Sequence, residues 1–375
     1  MIVMNDILLI KPVLKDYAWG NDYYLADLLD IDKKGPLAEL WMGCHEQGSA
    51  IISETEQSLY EYIDLNPEFA GVGAKDFPYL FKVLAIAQGL SIQCHPDAQQ
   101  ARDGFDKESE IRKIRDRKYW NYQDSNPKAE MLYALTPVTA MCGFRTFENA
   151  QTLFKNVVPV FYKQYFSEVG TIFELFDKLY RLDKEALEYG QAELIKNSDM
   201  LDDVQQKIVS EIADNYFGDP GVFAPLFLNI VQLDKGQAVY LKPTVLHSYC
   251  SGNGVELMNN SDNVLRAGLT SKHVDLEELE LVMSKEPYVP TPMMSISDEG
   301  GLHFVCDGGF TLTVMEKGVF KPEEEGPRVI LCLDGQLTIN NDFVLSKGQC
   351  CIIGKAQKDI VVDCSNAYAF MASSN

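Results

Sequence analysis

The sequence predicts a mainly β protein built from two jelly-roll-type barrels and an inserted α-helical domain. Two regions, before residue 145 and after residue 218, consist of short apolar segments separated by turn residues, which is typical of small antiparallel barrels. The region between them repeats its apolar residues every three or four positions, which indicates amphipathic helices. We therefore expect residues 1–145 with 218–292 to form one barrel, 146–217 a helical insertion, and 293–375 a smaller C-terminal barrel.

The first β region alternates between apolar segments and charged connections. We expect strands at 7–14, 78–87 and 89–95, and β-leaning sequence again at 131–144. The strongly charged stretch 98–117 is expected to be an exposed loop or helix. In the helical region, Thr146 and Asp202 are suitable N-caps, because their side-chain oxygens can accept bonds from the first turn. The expected helices are 147–157, 168–182, 184–197 and 203–217.

The C-terminal region is predicted to be a second barrel with its own hairpins. The expected strands are 310–315, 328–333, 336–339, 350–353 and 367–372. Asp334-Gly335 and Asn340-Asn341 are typical hairpin turns. The region holds one histidine, His303, so we expect no metal there and a supporting role for this barrel.

Charge and composition limit the classes of partner. The chain of 375 residues has a formal net charge of −22, which argues against nucleic acid and anionic membranes as partners. A phosphorylated ligand would need a few local cations held in a cleft. No apolar run reaches membrane-spanning length, the start lacks a basic leader, and nine cysteines occur without Cys-x-x-Cys. We therefore expect a cytoplasmic protein with reduced cysteines, and a monomer.

Three polar segments could supply ligands to a divalent metal. Gln93 and His95 lie two residues apart after an apolar run, so a strand would place them on the same face. Glu130 and His247 follow in two further segments of β-like sequence. Two imidazoles, a carboxylate and an amide oxygen suit a catalytic zinc, and manganese or iron(II) fits nearly as well on ligand chemistry alone.

Longer motifs carry a family resemblance. They are DYAWG at 16–20, ELWMGCH at 39–45, SIQCHPD at 91–97, NPKAEM at 126–131 and ELMNNSDNVLRAGLTSK at 256–272. Together, and in this order, they resemble the type I mannose-6-phosphate isomerases. The resemblance runs from about residue 11 to about residue 275, and more weakly to the end.

The resemblance implies cupin-type barrels and one zinc ion per chain, held by Gln93, His95, Glu130 and His247. It also implies the interconversion of mannose 6-phosphate and fructose 6-phosphate through a cis-enediol. This step would feed mannose into glycolysis or supply GDP-mannose synthesis. Arg266 matches the arginine taken as catalytic in the family, and Lys128 is expected near the sugar oxygens.

The resemblance further implies a sugar-phosphate pocket. Its expected residues are Trp19, Ser91, Tyr249, Glu256 and Lys272. Each of these types also occurs as an ordinary core or surface residue, so the assignment depends on the family motifs.

One departure from the family bears on the proton transfer. Many members have His-Lys-Pro-Glu where this chain has Pro127-Lys128-Ala129-Glu130, and a proline cannot transfer a proton. We therefore expect Asp262 or a metal-bound water to take that role. Two other interpretations stay open, a cupin metal oxygenase and a non-catalytic sugar-phosphate-binding cupin.

Overall fold

The computed structural model describes residues 6–374 and is dominated by two antiparallel sheets of ten strands each, counted over that part of the chain. The strands before the helical region are β1 (Ile7–Lys11), β2 (Val13–Lys15), β3 (Glu39–Met42), β4 (Ile51–Ile52), β5 (Tyr79–Ile86), β6 (Gln93–Cys94), β7 (Glu130–Ala134) and β8 (Val138–Phe144). Those after it are β9 (Leu228–Leu233), β10 (Ala238–Leu241), β11 (His247–Asn259), β12 (Leu265–Arg266), β13 (Ile296–Asp298), β14 (Gly301–Val305), β15 (Phe310–Glu316), β16 (Val319–Phe320), β17 (Arg328–Ile339), β18 (Phe343–Ser346), β19 (Cys350–Ile353) and β20 (Val362–Ser374).

Helices join and flank these strands. The α-helices are α1 (Tyr24–Leu29), α2 (Leu59–Leu65), α3 (Pro67–Ala70), α4 (Ala98–Lys107), α5 (Phe147–Val157), α6 (Pro159–Tyr165), α7 (Ile172–Tyr180), α8 (Lys184–Lys196), α9 (Asp203–Ala213), α10 (Ala224–Phe227) and α11 (Leu276–Val282). Short 3₁₀ turns occur at Ala74–Asp76, Ile111–Lys113, Arg117–Tyr119, Ser198–Met200 and Pro220–Phe223. The mainly β class with a helical insertion is therefore confirmed.

The helical insertion, α5 to α9, lies between β8 and β9. Both predicted N-caps are confirmed, because Thr146 accepts from the Asn149 amide at 3.3 Å and Asp202 accepts from the Gln205 amide at 2.8 Å. The helices bury a large aromatic and aliphatic core that also includes Ile92, beside the first sheet. The helical insertion therefore packs against Ile92, which directly precedes β6.

Strand β11 organises the first sheet. Its C-terminal half pairs with β5 and β7, while its first residues pair with β6 and β8. The register shifts between Tyr249 and Ser251, where the strand changes partners. Gly252, just beyond, has φ +112°, and a Cβ there would lie 2.5 Å from the carbonyl oxygen of Pro137. The crossing of β11 therefore requires glycine at this position.

The second sheet combines both ends of the chain. Its strand order is β13-β14-β15-β20-β17-β19-β1-β4, so β1 and β4 pair with strands of the predicted C-terminal barrel. The predicted domain boundaries stay a prediction, and the pairings show that β1 and β4 belong to the second sheet. An apolar core joins the two sheets, and the Tyr79 hydroxyl lies within hydrogen-bond distance of the carbonyl oxygens of Pro327 (2.7 Å) and Ala372 (2.9 Å).

One predicted hairpin is wrong and another is confirmed. Asp334-Gly335 lies inside the continuous strand β17, between two register shifts in its pairing with β20, and Gly335 has φ +76°. The chain does not reverse there, and the glycine continues the strand in a left-handed conformation. Asn340 and Asn341, both with positive φ, do form the turn between β17 and β18.

No helix within residues 6–374 is both long enough and apolar enough to span a bilayer.

Replacing Gly252 by alanine should destabilise the protein by about 3 kcal/mol, because left-handed backbone strain adds to a clash with a neighbouring strand. Gly35 is the matched control: it has φ +103° and a Cβ there would meet no atom within 4 Å, so Gly35→Ala should cost about 1 kcal/mol. Equilibrium denaturation of both variants measures the difference. Equal losses would show that the β11 crossing tolerates a side chain.

Candidate metal centre and sugar site

Three strand ends bring His95, Glu130 and His247 together. His95 follows β6, Glu130 begins β7 and His247 begins β11. His95 Nε2 lies 3.1 Å from Glu130 Oε1, and His247 Nε2 lies 3.4 Å from Glu130 Oε2. One ligand atom from each residue falls within 4.8 Å of the others, and all three side chains are buried. The arrangement can hold a divalent metal.

The far nitrogen of each imidazole is fixed by a backbone carbonyl. His95 Nδ1 lies 2.7 Å from the carbonyl oxygen of Asn263, and His247 Nδ1 lies 2.9 Å from that of Val245. Each Nδ1–H therefore donates to a carbonyl, which leaves the Nε2 lone pair directed at Glu130. Such outer hydrogen bonds fix the tautomer that a metal requires.

Gln93 is placed beside the same cluster by strand pairing. It stands opposite His247 between β6 and β11, and opposite Arg266 between β6 and β12. Its side chain is half-buried. The role of Gln93 as a fourth ligand stays a prediction.

Lys128 is a buried cation beside His95, Glu130 and His247, which we call the triad. Its Nζ lies 3.0 Å from Glu130 Oε1 and 3.4 Å from His95 Nε2. Burial, helped by the Lys128 charge, lowers the pKa of His95 to about 3. Burial acts to raise the pKa of Glu130, but Lys128 and the two histidines outweigh it and hold that pKa well below its usual value. Neutral imidazoles and an ionised carboxylate are the forms that bind metal.

A second buried polar row crosses the same sheet. Glu256 on β11 stands opposite Lys82 on β5, which stands opposite Trp41 on β3. Lys82 Nζ lies 3.0 Å from Glu256 Oε2 and 3.6 Å from Glu39 Oε2. Burial raises the pKa of Glu256, whereas burial of Lys82 is outweighed by the two carboxylates, so its pKa is raised. The row therefore holds a carboxylate that can keep a proton more readily than an exposed one.

Tyr249 connects the two polar rows. Its hydroxyl lies 3.4 Å from Glu130 Oε2, and it also interacts with Glu256. Burial is the main reason that its pKa is raised well above the usual value. The structure thus brings Tyr249 and Glu256 next to the triad, as their predicted place in the sugar pocket requires.

Asp262 is engaged away from the triad. Its carboxylate lies 3.3 Å from His45 Nε2 and 3.7 Å from Arg117, and accepts a bond from Gln47. Burial acts to raise its pKa, but His45 and nearby lysines outweigh burial and lower it. A paired carboxylate of lowered pKa is a weak base, so the predicted acid/base role of Asp262 gains no support from this geometry.

Two further predicted cations lie near each other. Burial lowers the pKa of Arg266, while burial and the charge of Arg266 lower that of Lys272. Ser91 is half-buried near the start of β6, and half-buried Trp19 stacks on Tyr17 with ring centroids 6.0 Å apart. The roles predicted for Ser91 and Trp19 stay predictions.

Known proteins resemble this chain over nearly its whole length. Residues 7–147 match the model of the phosphomannose isomerase type I catalytic domain. The mannose-6-phosphate isomerase of Salmonella typhimurium is 31% identical, over 92% of this chain and 94% of that protein. The chain belongs to the type I mannose-6-phosphate isomerase family. The Escherichia coli family member is 30% identical over 93% of this chain and 95% of its own length.

Solved structures of the family agree with this fold. The apo form of the Salmonella typhimurium mannose 6-phosphate isomerase gives a TM-score of 0.88 at 30% identity, covering 99% of this chain and 100% of that one. A zinc-bound mannose 6-phosphate isomerase gives 0.87 at 29% identity, with the same coverage. The cupin-type fold expected from sequence is that of the isomerase family.

Sequence reasoning missed Lys82, Glu39 and His45 in this isomerase site. Lys82 lies within an apolar run whose pattern predicts only a buried strand, and Glu39 and His45 lie in the motif ELWMGCH without a role of their own. A usable signal was present, because a lysine inside a run of buried strand residues is uncommon unless it is paired. The partner, Glu256, lies too far along the chain to be found from spacing.

Replacing Lys82 by methionine should lower the free energy of unfolding by about 3 kcal/mol, because Glu256 and Glu39 would stay buried without their cation. Lys317→Met is the control: that side chain is 79% exposed, and its loss should cost at most about 0.5 kcal/mol. Adding Glu256→Gln to the Lys82 variant should recover part of the loss. Wild-type stability of Lys82→Met in chemical denaturation would contradict the buried pairing.

Proposed function

We propose that this chain is a metal-dependent aldose–ketose isomerase that interconverts mannose 6-phosphate and fructose 6-phosphate. The observation that carries the proposal is the buried His95–Glu130–His247 triad, with Lys128 in contact, in a member of this isomerase family. The acid/base pairs and cations of a sugar-phosphate site surround the triad.

The residues present fit zinc. His95, His247 and Glu130 offer two imidazole nitrogens and one carboxylate, and Gln93 is placed to add an amide oxygen. When bound, zinc supplies a positive charge that stabilises negative charge on the sugar oxygens. The zinc-bound relative supports this metal over manganese or iron(II), which the same donor set also accepts.

The proton transfer between C1 and C2 is assigned to the Glu256–Lys82 pair. Pro127 stands where many family members have a histidine, and Asp262 is held by His45 and Arg117. Glu256 is buried, has a raised pKa and is hydrogen-bonded to Lys82 at 3.0 Å. A carboxylate of raised pKa is a stronger base than an exposed carboxylate, and it can accept a proton and return it.

The remaining residues bind and orient the sugar phosphate. Arg266, Lys272 and Ser91 provide two cations and a hydroxyl for the phosphate, and the two cations lie close enough for the Arg266 charge to help burial lower the pKa of Lys272. Lys128 faces the sugar oxygens beside Glu130. Trp19 and Tyr249 would form walls of the pocket and exclude water.

The wider role follows from the reaction. Mannose 6-phosphate formed here would supply GDP-mannose synthesis, and the reverse direction would feed mannose into glycolysis. We place the protein in the cytoplasm as a monomer without membrane or nucleic-acid partners, which its net charge of −22 and its cysteine composition support.

Chelation should abolish the conversion of mannose 6-phosphate to fructose 6-phosphate, and added zinc should restore it. Glu130→Gln should bind zinc at least about a hundredfold more weakly, because the central carboxylate charge is lost. Glu324→Gln is the matched control, since Glu324 also contacts a histidine, His303 Nδ1 at 3.4 Å, but in the other sheet. A coupled-enzyme assay measures the conversion of mannose 6-phosphate, and metal analysis measures zinc binding.

Metal-replete protein without turnover would contradict the isomerase assignment. If that protein still bound mannose 6-phosphate, the interpretation as a non-catalytic sugar-phosphate-binding cupin would replace the isomerase assignment. Activity that depended on oxygen would instead favour the cupin oxygenase.

A further inference from the structure

An exposed basic segment lies in an otherwise acidic chain. Residues 111–119 contain five lysines or arginines and one aspartate, a net charge of +4, whereas the whole chain carries −22. The segment follows α4 and consists of the 3₁₀ turns Ile111–Lys113 and Arg117–Tyr119 with their connection. Its side chains are largely exposed, including Lys113 at 65% and Lys118 at 67%. We call residues 111–119 the basic rim.

The basic rim is attached to the edge of the sugar site. Arg117 Nη2 lies 3.7 Å from Asp262 Oδ2. The Tyr119 ring packs edge-on against His273, at 5.5 Å between centroids, and His273 directly follows Lys272. The rim therefore borders the end of the site at which Lys272 and Arg266 lie.

Local ion pairs do not cancel the charge of the basic rim. Lys113 pairs with Glu110 at 2.7 Å and Lys118 with Asp116 at 3.7 Å, but both pairs are exposed. Exposed pairs of this kind are weak and easily exchanged. Arg115 contributes a further exposed charge beside the Tyr119 ring, with 6.0 Å between its guanidinium and the ring centroid. A cationic patch therefore remains available to a passing anion.

An acidic protein that binds a sugar phosphate faces long-range repulsion. Screening limits the reach of charge to a Debye length of about 10 Å at about 0.1 M salt, so charges at the entrance dominate the local field. A patch of opposite sign at the entrance raises the local concentration of the ligand and its association rate. The basic rim is placed to provide that patch.

We propose that the basic rim recruits the phosphate group of the sugar phosphate to the site and offsets the repulsion of the acidic chain. The proposal rests on the proposed function, since it takes the sugar phosphate as ligand. The rim residues Lys113, Arg115 and Lys118 act before the chemical step. Their charge should therefore affect KM and not kcat.

The test compares two triple variants of equal charge change. Lys113→Gln/Arg115→Gln/Lys118→Gln removes three rim charges. The control, Lys317→Gln/Lys321→Gln/Lys358→Gln, removes three exposed lysines of the other sheet, with side-chain exposures of 79%, 63% and 75%. At low ionic strength the rim variant should lose about three- to tenfold in kcat/KM for mannose 6-phosphate, with kcat within about twofold of wild type.

Salt separates electrostatic recruitment from direct contact. The kcat/KM values of the rim variant and the wild type should become equal at about 0.5 M salt, where the Debye length falls to about 4 Å. The kcat/KM of the control variant should equal that of the wild type at every salt concentration. Equal kcat/KM for the two triple variants at low salt would overturn the proposal. A loss that persisted at high salt would overturn it too.

Failure of the proposed function would be distinguishable from failure of the basic rim. Wild-type protein without turnover contradicts the isomerase assignment, but calorimetric binding of mannose 6-phosphate still compares the same variants. If only the rim variant bound mannose 6-phosphate more weakly than wild type, and high salt abolished that difference, recruitment by the basic rim would be supported. Binding that is equal in both triple variants would overturn it.

Discussion

The buried carboxylate of Glu130 is the constraint on which the site depends. His95, Lys128, His247 and Tyr249 all lie within 3.4 Å of its two oxygens. A buried charge is tolerated only when it is paired, and Lys128 supplies the opposite charge at 3.0 Å from Glu130 Oε1. Lys128 and the histidines hold the pKa of Glu130 low, and burial with the Lys128 charge holds the pKa of His95 low. Folding and metal binding therefore require one arrangement of charges.

Strand β11 carries this arrangement across the molecule. It begins at His247 in the triad, shifts register near Tyr249, and reaches Glu256 opposite Lys82. One strand thus fixes the spacing between the metal centre and the proposed acid/base pair. The helical insertion and the second sheet pack against the first sheet, so its strands are held in place around the site.

Local patterns in the sequence predicted the β regions and the helical insertion, but they did not predict which distant segments pair. Alternation and turn residues indicated the β regions, and helical spacing with Thr146 and Asp202 indicated the insertion. Two family motifs contain His95 and Glu130, and a further segment of β-like sequence contains His247, so the three segments together indicated the triad. The Lys82–Glu256 pair and the joining of β1 to β19 are contacts between distant segments, which local patterns do not encode. Asp334-Gly335 was a misleading signal, because a glycine of positive φ also occurs inside a strand that continues between two register shifts.

X-ray absorption at the zinc edge of the zinc-loaded protein tests most directly whether His95, Glu130 and His247 bind the metal. We predict nitrogen and oxygen ligands at about 2.0–2.2 Å, with the outer-shell scattering of two imidazoles that falls by half in His247→Ala. A sulfur ligand at about 2.3 Å, as buried Cys94 next to His95 would give, or the absence of imidazole scattering, would contradict it.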